Sequence, residues 1–427
     1  MYIAKVLEEH KEGKEVEIKG WVHRIRKMKD KVFAVVRDTD DIIQVVFSNN
    51  ASSFNDAEKL KMESALIVKG KLIKSEKAPN GYEIQATKLD VVDIGEDFPI
   101  QKDFSTEFLA DNRHLWLRSR KMNAILKIRS TVTGAIHEYF RGQGFNEFQS
   151  PIFQSTQCEG GSELFEVKYF DKKMYLTQTW QLPAEAGIFS MEKIYTVSPT
   201  FRAEKSITSR HLTEFWMIEA EMAWMKFEDM LEVGEGLIKA CVKAVLDKNR
   251  KELEVLGRDP KKLEPTVKKK FPQITYTEAL KILKDKCKMD IEWGKDLRTV
   301  EEEKLMSLYD VPVIVTHYPK KVKAFYMKED DKNKDVVLGS DFLAPEGIGE
   351  IVGGSERESN IDSIKKRLKE MGEDPKNYGF YLDTRKYGSV PHSGFGMGLE
   401  RVVRWICGLE NIKDAIAFPR TPNRFYP

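Results

Sequence analysis

The sequence predicts an α+β protein of 427 residues, in which a small five-stranded β-barrel precedes a larger domain with an antiparallel β-sheet flanked by helices. Two observations predict this fold. Residues 15–95 contain short runs that mix β-branched or aromatic residues with polar ones, as half-buried strands do. From about residue 123, segments with helical apolar spacing alternate with buried strands, and a glycine-rich strand near the end runs into a helix.

The N-terminal region has the strand order of an OB-fold barrel. A helix-like stretch at residues 56–61 separates the third predicted strand from the fourth, as that fold requires. Any other small β-barrel is the alternative, and we expect Trp21 in the barrel core. We predict a barrel domain at 1–98, a linker at 99–122 and the larger domain at 123–427. The five strands are VEIKGWVHRIR, KVFAVVRD, DIIQVVF, SALIVKGKLIKS and YEIQATKLDVVD.

The composition excludes several classes of protein. A hydrophobic fraction of 41% is too high for a protein that is disordered throughout. Lysine and arginine total 70 against 68 acidic residues, which excludes a globally polycationic nucleic-acid binder but not a local basic patch. No apolar run reaches the roughly 18 residues of a transmembrane helix, and the charged N-terminus is unlike a signal peptide. The widely spaced cysteines, without a CxxC pair, predict a cytoplasmic location and no zinc site.

Three separated segments carry the chemistry of the larger domain. The first is the helix predicted at 123–141 with the strand that ends at Pro151. The second is TFRAE, a polar loop and HLTEFW at 200–216, and the third is GFGMGLER at 394–401. Each is a weak signal alone, but their order and spacing resemble motifs 1, 2 and 3 of the class II aminoacyl-tRNA synthetases. The preceding barrel indicates the aspartate, asparagine and lysine subgroup, and SRHLTEFWMIEAE and EIVGGSERE resemble the archaeal asparagine enzymes.

The resemblance implies ATP as substrate and Mg²⁺ as cofactor. Amino-acid activation brings a carboxylate to the α-phosphate, so positive groups must converge on two anions. The family's catalytic arginines correspond to Arg202, at the α-phosphate and the amino-acid carboxylate, and Arg401, at the γ-phosphate. Gly394 and Gly396 would let the backbone approach ATP. The further ATP contacts implied are Glu204, Arg210, His211, Phe215 and Gly398, and the implied Mg²⁺ ligands are Asp341 and Glu350.

The amino-acid end of the site separates asparagine from aspartate. Aspartyl enzymes carry a lysine beside the substrate carboxylate where this protein has Ala184. The resemblance makes Glu219 the acceptor for the NH₂ of the substrate side group and Arg357 the donor to its carbonyl oxygen, which suits an amide. It places Glu159 and Gln181 at the α-amino group. The structural alternatives are a strand carboxylate paired with an arginine for Glu219, and a salt bridge to a neighbouring glutamate for Arg357.

The barrel carries the predicted RNA contacts. Phe33 and Gln44 match the pair that, in this subgroup, stacks on and reads the central uridine of the anticodon. Arg24 and Arg26 supply positive charge on the preceding strand. A barrel-core position is the alternative for Phe33, and a solvated strand face is the alternative for the two arginines.

These implications together predict an asparagine–tRNA ligase that forms asparaginyl-adenylate and transfers it to tRNA(Asn). The predicted partners are tRNA(Asn), L-asparagine and a second subunit, with a homodimer formed through the motif 1 helix and the strand near Pro151. Three alternatives remain open. They are an aspartyl-tRNA synthetase, including a non-discriminating one, a paralogue that amidates free aspartate, and a non-catalytic RNA-binding module.

Overall fold

The computed structural model describes residues 1–9, 12–101, 104–155, 158, 164–206 and 208–427. The protein forms two compact units, Met1–Asn112 and Arg113–Pro427, and this division falls inside the predicted linker. Across the described ranges, no helix is both long enough and apolar enough to cross a membrane.

The first unit is a closed five-stranded barrel, which confirms the predicted OB fold. Its strands follow the order β1-β2-β3-β5-β4, with β3 and β5 parallel and the other pairs antiparallel. The strands are β1 (Glu15–Met28), β2 (Lys31–Arg37), β3 (Ile42–Ser48), β4 (Ala65–Lys74) and β5 (Tyr82–Asp93). The helices are α1 (Ile3–Glu9), α2 (Phe54–Lys59), which lies between β3 and β4 as predicted, and α3 (Thr106–Asp111).

Alternation along the strands separates the barrel core from its outer face. Val32, Ala34 and Val36 of β2 are fully buried inside the barrel. Trp21 is 43% exposed and pairs across the strands with Arg37, whose guanidinium carbon lies 5.1 Å from the centre of the ring. The prediction that Trp21 belongs to the core was wrong, because its strand position faces outward and the cation–π contact covers one face of the ring.

The second unit contains an eight-stranded mixed sheet in the order β12-β13-β14-β15-β16-β11-β10-β6 and a three-stranded sheet in the order β7-β9-β8. The large sheet is antiparallel through its centre and has a parallel pair at each edge. Its strands are β6 (Asn146–Glu147), β10 (Lys193–Phe201), β11 (Glu214–Ala223), β12 (Gln273–Thr275), β13 (Val313–Thr316), β14 (Gly339–Ala344), β15 (Gly349–Glu356) and β16 (His392–Gly398). The small sheet contains β7 (Phe153–Gln154), β8 (Glu166–Tyr169) and β9 (Lys172–Leu176).

Helices within the described ranges surround these sheets. The longest, α5, has an apolar stripe that packs with α7 and α14 in the main core against the large sheet. The helices are α4 (Arg113–Trp116), α5 (Arg120–Gly142), α6 (Gln181–Met191), α7 (Phe227–Lys248), α8 (Arg250–Val255), α9 (Glu264–Lys268), α10 (Tyr276–Cys287), α11 (Thr299–Met306), α12 (Ile361–Glu370), α13 (Gly379–Lys386) and α14 (Leu399–Cys407).

Alternate residues of strand β11 point to opposite faces of the large sheet. One face is covered by helices, and the other is open. Ile218, Ala220 and Met222 belong to the main core, so the alternating positions between them point to the opposite face. Two of these alternating positions are Glu219 and Glu221, both of which line a cavity. The period of two therefore places two carboxylates side by side on the open face.

Candidate active site

Two adjoining cavities lie on the open face of the large sheet. The larger has a volume of about 710 Å³ and the smaller about 120 Å³. They share part of their walls, which identifies one continuous site with two compartments. The shared residues are Arg202, Met217, Glu350 and Gly396.

The smaller cavity gathers the predicted ATP contacts of motifs 2 and 3. An added Cβ on Gly398 would meet side-chain atoms of Arg401 at 3.7 Å or more, so the protein itself leaves room there. The guanidinium carbon of Arg202 lies 5.4 Å from the centre of the Phe215 ring. The predicted residues that line this cavity are Arg202, Glu204, Arg210, His211, Phe215, Glu350, Gly396, Gly398 and Arg401.

Arg202 follows β10 and stands in the wall between the two compartments. Its backbone N–H donates to the carbonyl of Thr213 at 3.0 Å, which fixes the start of the loop. Among the described residues, no acceptor meets the buried Nε–H of its guanidinium. A buried donor without an acceptor is costly, so this N–H is suited to an anion that enters the site.

Acidic side chains hold Arg210 in place in this structure. Its guanidinium donates to Glu302 at 3.1 Å, to Glu303 at 2.9 Å and to the carbonyl of Gly347 at 2.6 Å. Gly349, whose φ is +78°, lies so close that a Cβ would collide with the Glu302 carboxylate. Burial raises the pKa of Glu302 to about 7, and the nearby Glu350 adds to the effect.

His211 lies beside Arg210 in the same loop. Its Nδ1 is 2.6 Å from the hydroxyl of Thr208. Burial lowers the pKa of the imidazole, and the positive charge of Arg401 adds to the effect. Burial and the neighbouring positive charge therefore favour the neutral form of the ring.

The predicted Mg²⁺ ligands Asp341 and Glu350 lie on neighbouring strands and flank Gly353. A Cβ on that glycine would be 3.0 Å from Glu350 Oε1 and 3.7 Å from Asp341 Oδ1. The other carboxylate oxygens are paired, Asp341 Oδ2 with Lys323 at 2.7 Å and Glu350 Oε2 with Arg401 at 3.3 Å. Burial raises the pKa of Asp341 to about 6, and Lys323 opposes that effect. Asp341 Oδ1 and Glu350 Oε1 are thus the two carboxylate oxygens that lie together beside Gly353.

Glu219 is 5% exposed and accepts two hydrogen bonds from the segment that begins α6. The Thr179 hydroxyl donates to Oε1, and the backbone N–H of Trp180 donates to Oε2 at 2.9 Å. The indole of Trp180 points elsewhere and donates to the carbonyl of Phe148 at 2.8 Å. Glu219 lines the larger cavity, and these donors fix its carboxylate there.

Arg357 lines the same cavity, and its carboxylate partner is Glu221 rather than a neighbour in sequence. Arg357 Nε donates to Glu221 Oε1 at 3.1 Å, and Nη1 donates to the hydroxyl of Ser355 at 2.8 Å. Although burial opposes the charge, Glu221 and Glu185 raise the pKa of Arg357. Arg357 is therefore a fixed, charged donor, held in place by Glu221.

Strand β16 leaves space for these carboxylates. Gly394 lies opposite Glu221 and Gly396 opposite Glu219 in the strand register. A Cβ on Gly394 would collide with the Glu221 carboxylate, and Gly394 lines neither described cavity. The absence of a Cβ at Gly394 therefore makes room for the buried Glu221 carboxylate.

Several polar residues of this site were not predicted from the sequence. Glu221 follows Glu219 by two positions, and the strand alternation could have identified it. Lys323, whose side group is 14% exposed, lines the larger cavity and also lies 4.0 Å from the centre of the Tyr318 ring. It carries no motif signal. Glu185 lies behind Gln181, and Gln181 lines the larger cavity.

Two further predictions concern the amino-acid end. Glu159 lies outside the described residues. Ala184 is fully buried in an apolar cluster that includes Trp180 and Ile188, and lines neither described cavity. Helix α6 thus supplies no cation from that position.

The predicted RNA contacts share the outer face of the barrel. Arg24 and Gln44 both pair with Val35, and Arg26 pairs with Phe33, so three adjacent strands bring these residues together. Both arginines are exposed, while Phe33 is half-buried and lies outside the buried barrel core. Gln44 Nε2 donates to Glu83 at 2.9 Å, which orients its amide.

Comparison with known proteins defines the class. The family described as tRNA synthetases class II (D, K and N) matches residues 105–422, and the OB-fold nucleic acid binding domain matches residues 16–92. The protein belongs to the class II aminoacyl-tRNA synthetases of this subgroup, which confirms the predicted resemblance.

The similar proteins include asparagine enzymes. The asparagine–tRNA ligase of Thermococcus gammatolerans is 49% identical over 97% of this sequence and 97% of its own. The crystal structure of asparaginyl-tRNA synthetase from Pyrococcus horikoshii complexed with asparaginyl-adenylate is 45% identical, with a TM-score of 0.95 over 100% of this protein and 99% of that one. The Entamoeba histolytica enzyme in complex with asparaginyl-adenylate is 32% identical, with a TM-score of 0.88 over 98% and 97% of the two proteins.

Proposed function

We propose that this protein ligates L-asparagine to tRNA(Asn) through asparaginyl-adenylate. The observation that carries the proposal is the amino-acid compartment, where Glu219 offers an acceptor and Arg357 a donor on the wall of one cavity. The ATP compartment adjoins this cavity at Arg202. The relatives that bind asparaginyl-adenylate share this fold at full length.

The first step joins the asparagine carboxylate to the α-phosphorus of ATP and releases pyrophosphate. Arg202 stands where both anions meet, and its guanidinium offsets their repulsion and the charge of the transition state. Arg401 and His211 line the compartment for the outer phosphates, and Phe215 offers a ring for adenine to stack on. The step needs positioning and charge stabilisation, without a covalent bond to the enzyme.

The second step transfers asparagine to tRNA. A hydroxyl of the terminal ribose attacks the adenylate carbonyl, and AMP leaves with the bonding electrons. The larger cavity exceeds the volume that asparagine alone needs and is open to solvent, which supports entry of the tRNA end beside the adenylate.

Asp341 and Glu350 would hold Mg²⁺ on the phosphates. Their fit rests on the two oxygens that flank Gly353, since carboxylate oxygens are the ligands this hard cation prefers. When bound, the cation supplies positive charge at the leaving pyrophosphate. Within the part of the protein that the structure describes, no group of three or more acidic, histidine or cysteine residues forms a metal site, so phosphate and water oxygens would complete the coordination.

Selectivity for asparagine follows from the arrangement of charges. The amide NH₂ of asparagine would donate to Glu219, and the amide oxygen would accept from Arg357. An aspartate carboxylate would face the Glu219 carboxylate, a repulsion that is strong in a buried site.

We propose that the outer face of the barrel binds the anticodon. Phe33 offers a stacking surface, Gln44 a base-reading edge, and Arg24 and Arg26 the phosphate contacts. The functional boundaries 1–98, 99–122 and 123–427 stay predictions, as does a cytoplasmic location.

We also propose a homodimer through the motif 1 elements. Ile152 and Phe153, which follow Pro151, are 40% and 45% exposed, and Phe170, beside the same small sheet, is 80% exposed. Exposed apolar residues so close together support a surface that is covered by a partner. The second subunit would supply the matching copy of this surface.

ATP–pyrophosphate exchange tests the proposed function directly. The enzyme, ATP and Mg²⁺ are mixed with labelled pyrophosphate and either asparagine or aspartate at equal concentration. We expect exchange with asparagine and at most a trace with aspartate. Equal or stronger exchange with aspartate would overturn the specificity, and no exchange with either would overturn the activation step.

A further inference from the structure

A fully buried carboxylate lies directly behind the amino-acid compartment. Glu185 is 0% exposed, and its Oε2 accepts from Arg385 and from the Tyr381 hydroxyl at 3.0 Å. His392 Nε2 is also 3.0 Å from this oxygen. The other oxygen, Oε1, accepts from Gln181 Nε2 at 2.9 Å. Groups from three separate elements thus immobilise one carboxylate, and Gln181, which lines the cavity, is attached to it.

This attachment decides which end of the Gln181 amide faces the site. The charges of Arg385 and His392 outweigh burial and keep the pKa of Glu185 below its usual range, so the carboxylate accepts and does not donate. Gln181 must therefore present its NH₂ to Glu185. The amide carbonyl oxygen is then left for the cavity that Gln181 lines.

The helix geometry makes the contact rigid. Gln181 and Glu185 are one turn apart on α6, where residues four apart are neighbours. The backbone N–H of Gln181 donates at 3.1 Å to the Thr179 hydroxyl, which itself donates to Glu219. The two ends of the amino-acid compartment are thereby tied to one short segment.

We propose that Glu185 is a positioning residue that fixes the Gln181 amide with its carbonyl oxygen toward the α-ammonium group of the substrate. The inference rests on the proposed function and deepens it, because it assigns the recognition of the α-amino end to a buried residue that lines neither described cavity. A glutamine at position 185 offers both an acceptor and a donor, so it would no longer enforce one orientation.

The test compares two ligands that differ only in the α-amino group. L-Asparagine carries it, and succinamic acid is the same molecule without it. Binding of each to the full-length wild type and to Glu185→Gln is measured by isothermal titration calorimetry. We expect the dissociation constant of asparagine to rise about tenfold or more, the effect of losing a charged hydrogen bond, and that of succinamic acid to stay within about twofold.

Two further variants make the result decisive. Glu235→Gln is the matched control, because Glu235 is a buried helix glutamate that lines neither described cavity, and both ligands should bind to it as to the wild type. If Glu185→Gln does not fold, Glu185→Asp keeps the charge for Arg385 but is too short for Gln181, and the same selective loss is expected.

The positioning role would be overturned if the affinity for both ligands fell equally, or if asparagine binding were unchanged in either Glu185 variant. The proposed function fails in a different way. If the wild type binds no asparagine, the substrate assignment is wrong before any variant is made.

Discussion

The substitution Glu219→Gln tests the asparagine compartment most sharply. It keeps the size of the residue and replaces one carboxylate oxygen by an NH₂. In the wild type, both oxygens accept hydrogen bonds at a position that is 5% exposed, one of them from the Trp180 N–H at 2.9 Å. The variant keeps one acceptor oxygen and adds donors, so the asparagine NH₂ would face fewer acceptors in the same space.

The magnitude follows from the kind of bond that is lost. A hydrogen bond to a charged group contributes about 1.5–3 kcal/mol, and 1.4 kcal/mol corresponds to about tenfold. We therefore expect kcat/KM for asparagine to fall about 10- to 150-fold. With the negative charge removed, kcat/KM for aspartate should rise. The ratio of the two values should therefore fall by more than about one to two powers of ten.

ATP–pyrophosphate exchange with each amino acid measures this ratio. Glu219→Asp is the matched variant, because it keeps the charge but shortens the residue, and there aspartate should gain nothing. At saturating amino acid, the KM for ATP should be unchanged in both variants, since Glu219 lines the larger cavity and not the smaller one. An equal loss for both amino acids, or a changed KM for ATP, would refute the reasoning.

Three further predictions concern stability and RNA. Arg357→Met leaves the carboxylate of Glu221 buried without its cation and should lower the free energy of unfolding by about 3–5 kcal/mol. Urea denaturation measures this free energy, and a loss of less than about 1 kcal/mol would contradict a stabilising buried ion pair. The pKa of Glu302 is about 7 in the fold against an ordinary value of 4.5, so the unfolded protein releases this proton first, and stability should fall by at most about 3 kcal/mol as pH rises through this window. Thermal unfolding across pH should show a shallower slope in Glu302→Gln than in the wild type, because Asp341, whose pKa burial also raises, still contributes in the variant. Replacing Arg24 and Arg26 by glutamine should reduce the slope of log affinity for tRNA against log salt by about 0.7 per lost phosphate contact, and an unchanged slope places the RNA elsewhere.

Much of the fold could be predicted from local patterns. The barrel order followed from alternation and turn residues, and the glycine-rich strand before α14 followed from GFGMGLER. The prediction for Trp21 failed because alternation alone does not show which residues of a strand face the core. A cation–π contact with Arg37 also stabilises the exposed tryptophan.

The site was predictable where motifs define it and not where it depends on distant contacts. The residues predicted to contact ATP lie in motifs 2 and 3 and line one cavity. Glu185 and its partners Arg385 and His392 are 200 and 207 residues apart in sequence, and no local signal joins them. Lys323 likewise could not be assigned to the site from the sequence, because only the fold brings its Nζ within 2.7 Å of Oδ2 of the strand residue Asp341.

The position of Arg202 in the wall between the two compartments has a thermodynamic consequence. A group that both substrates use couples their affinities, and such coupling is reciprocal, so any factor by which ATP tightens asparagine is the factor by which asparagine tightens ATP. The buried Nε–H of Arg202 has no acceptor among the described residues, so it can donate a hydrogen bond to the first substrate that binds. Occupancy of one compartment therefore depends on the supply of both substrates.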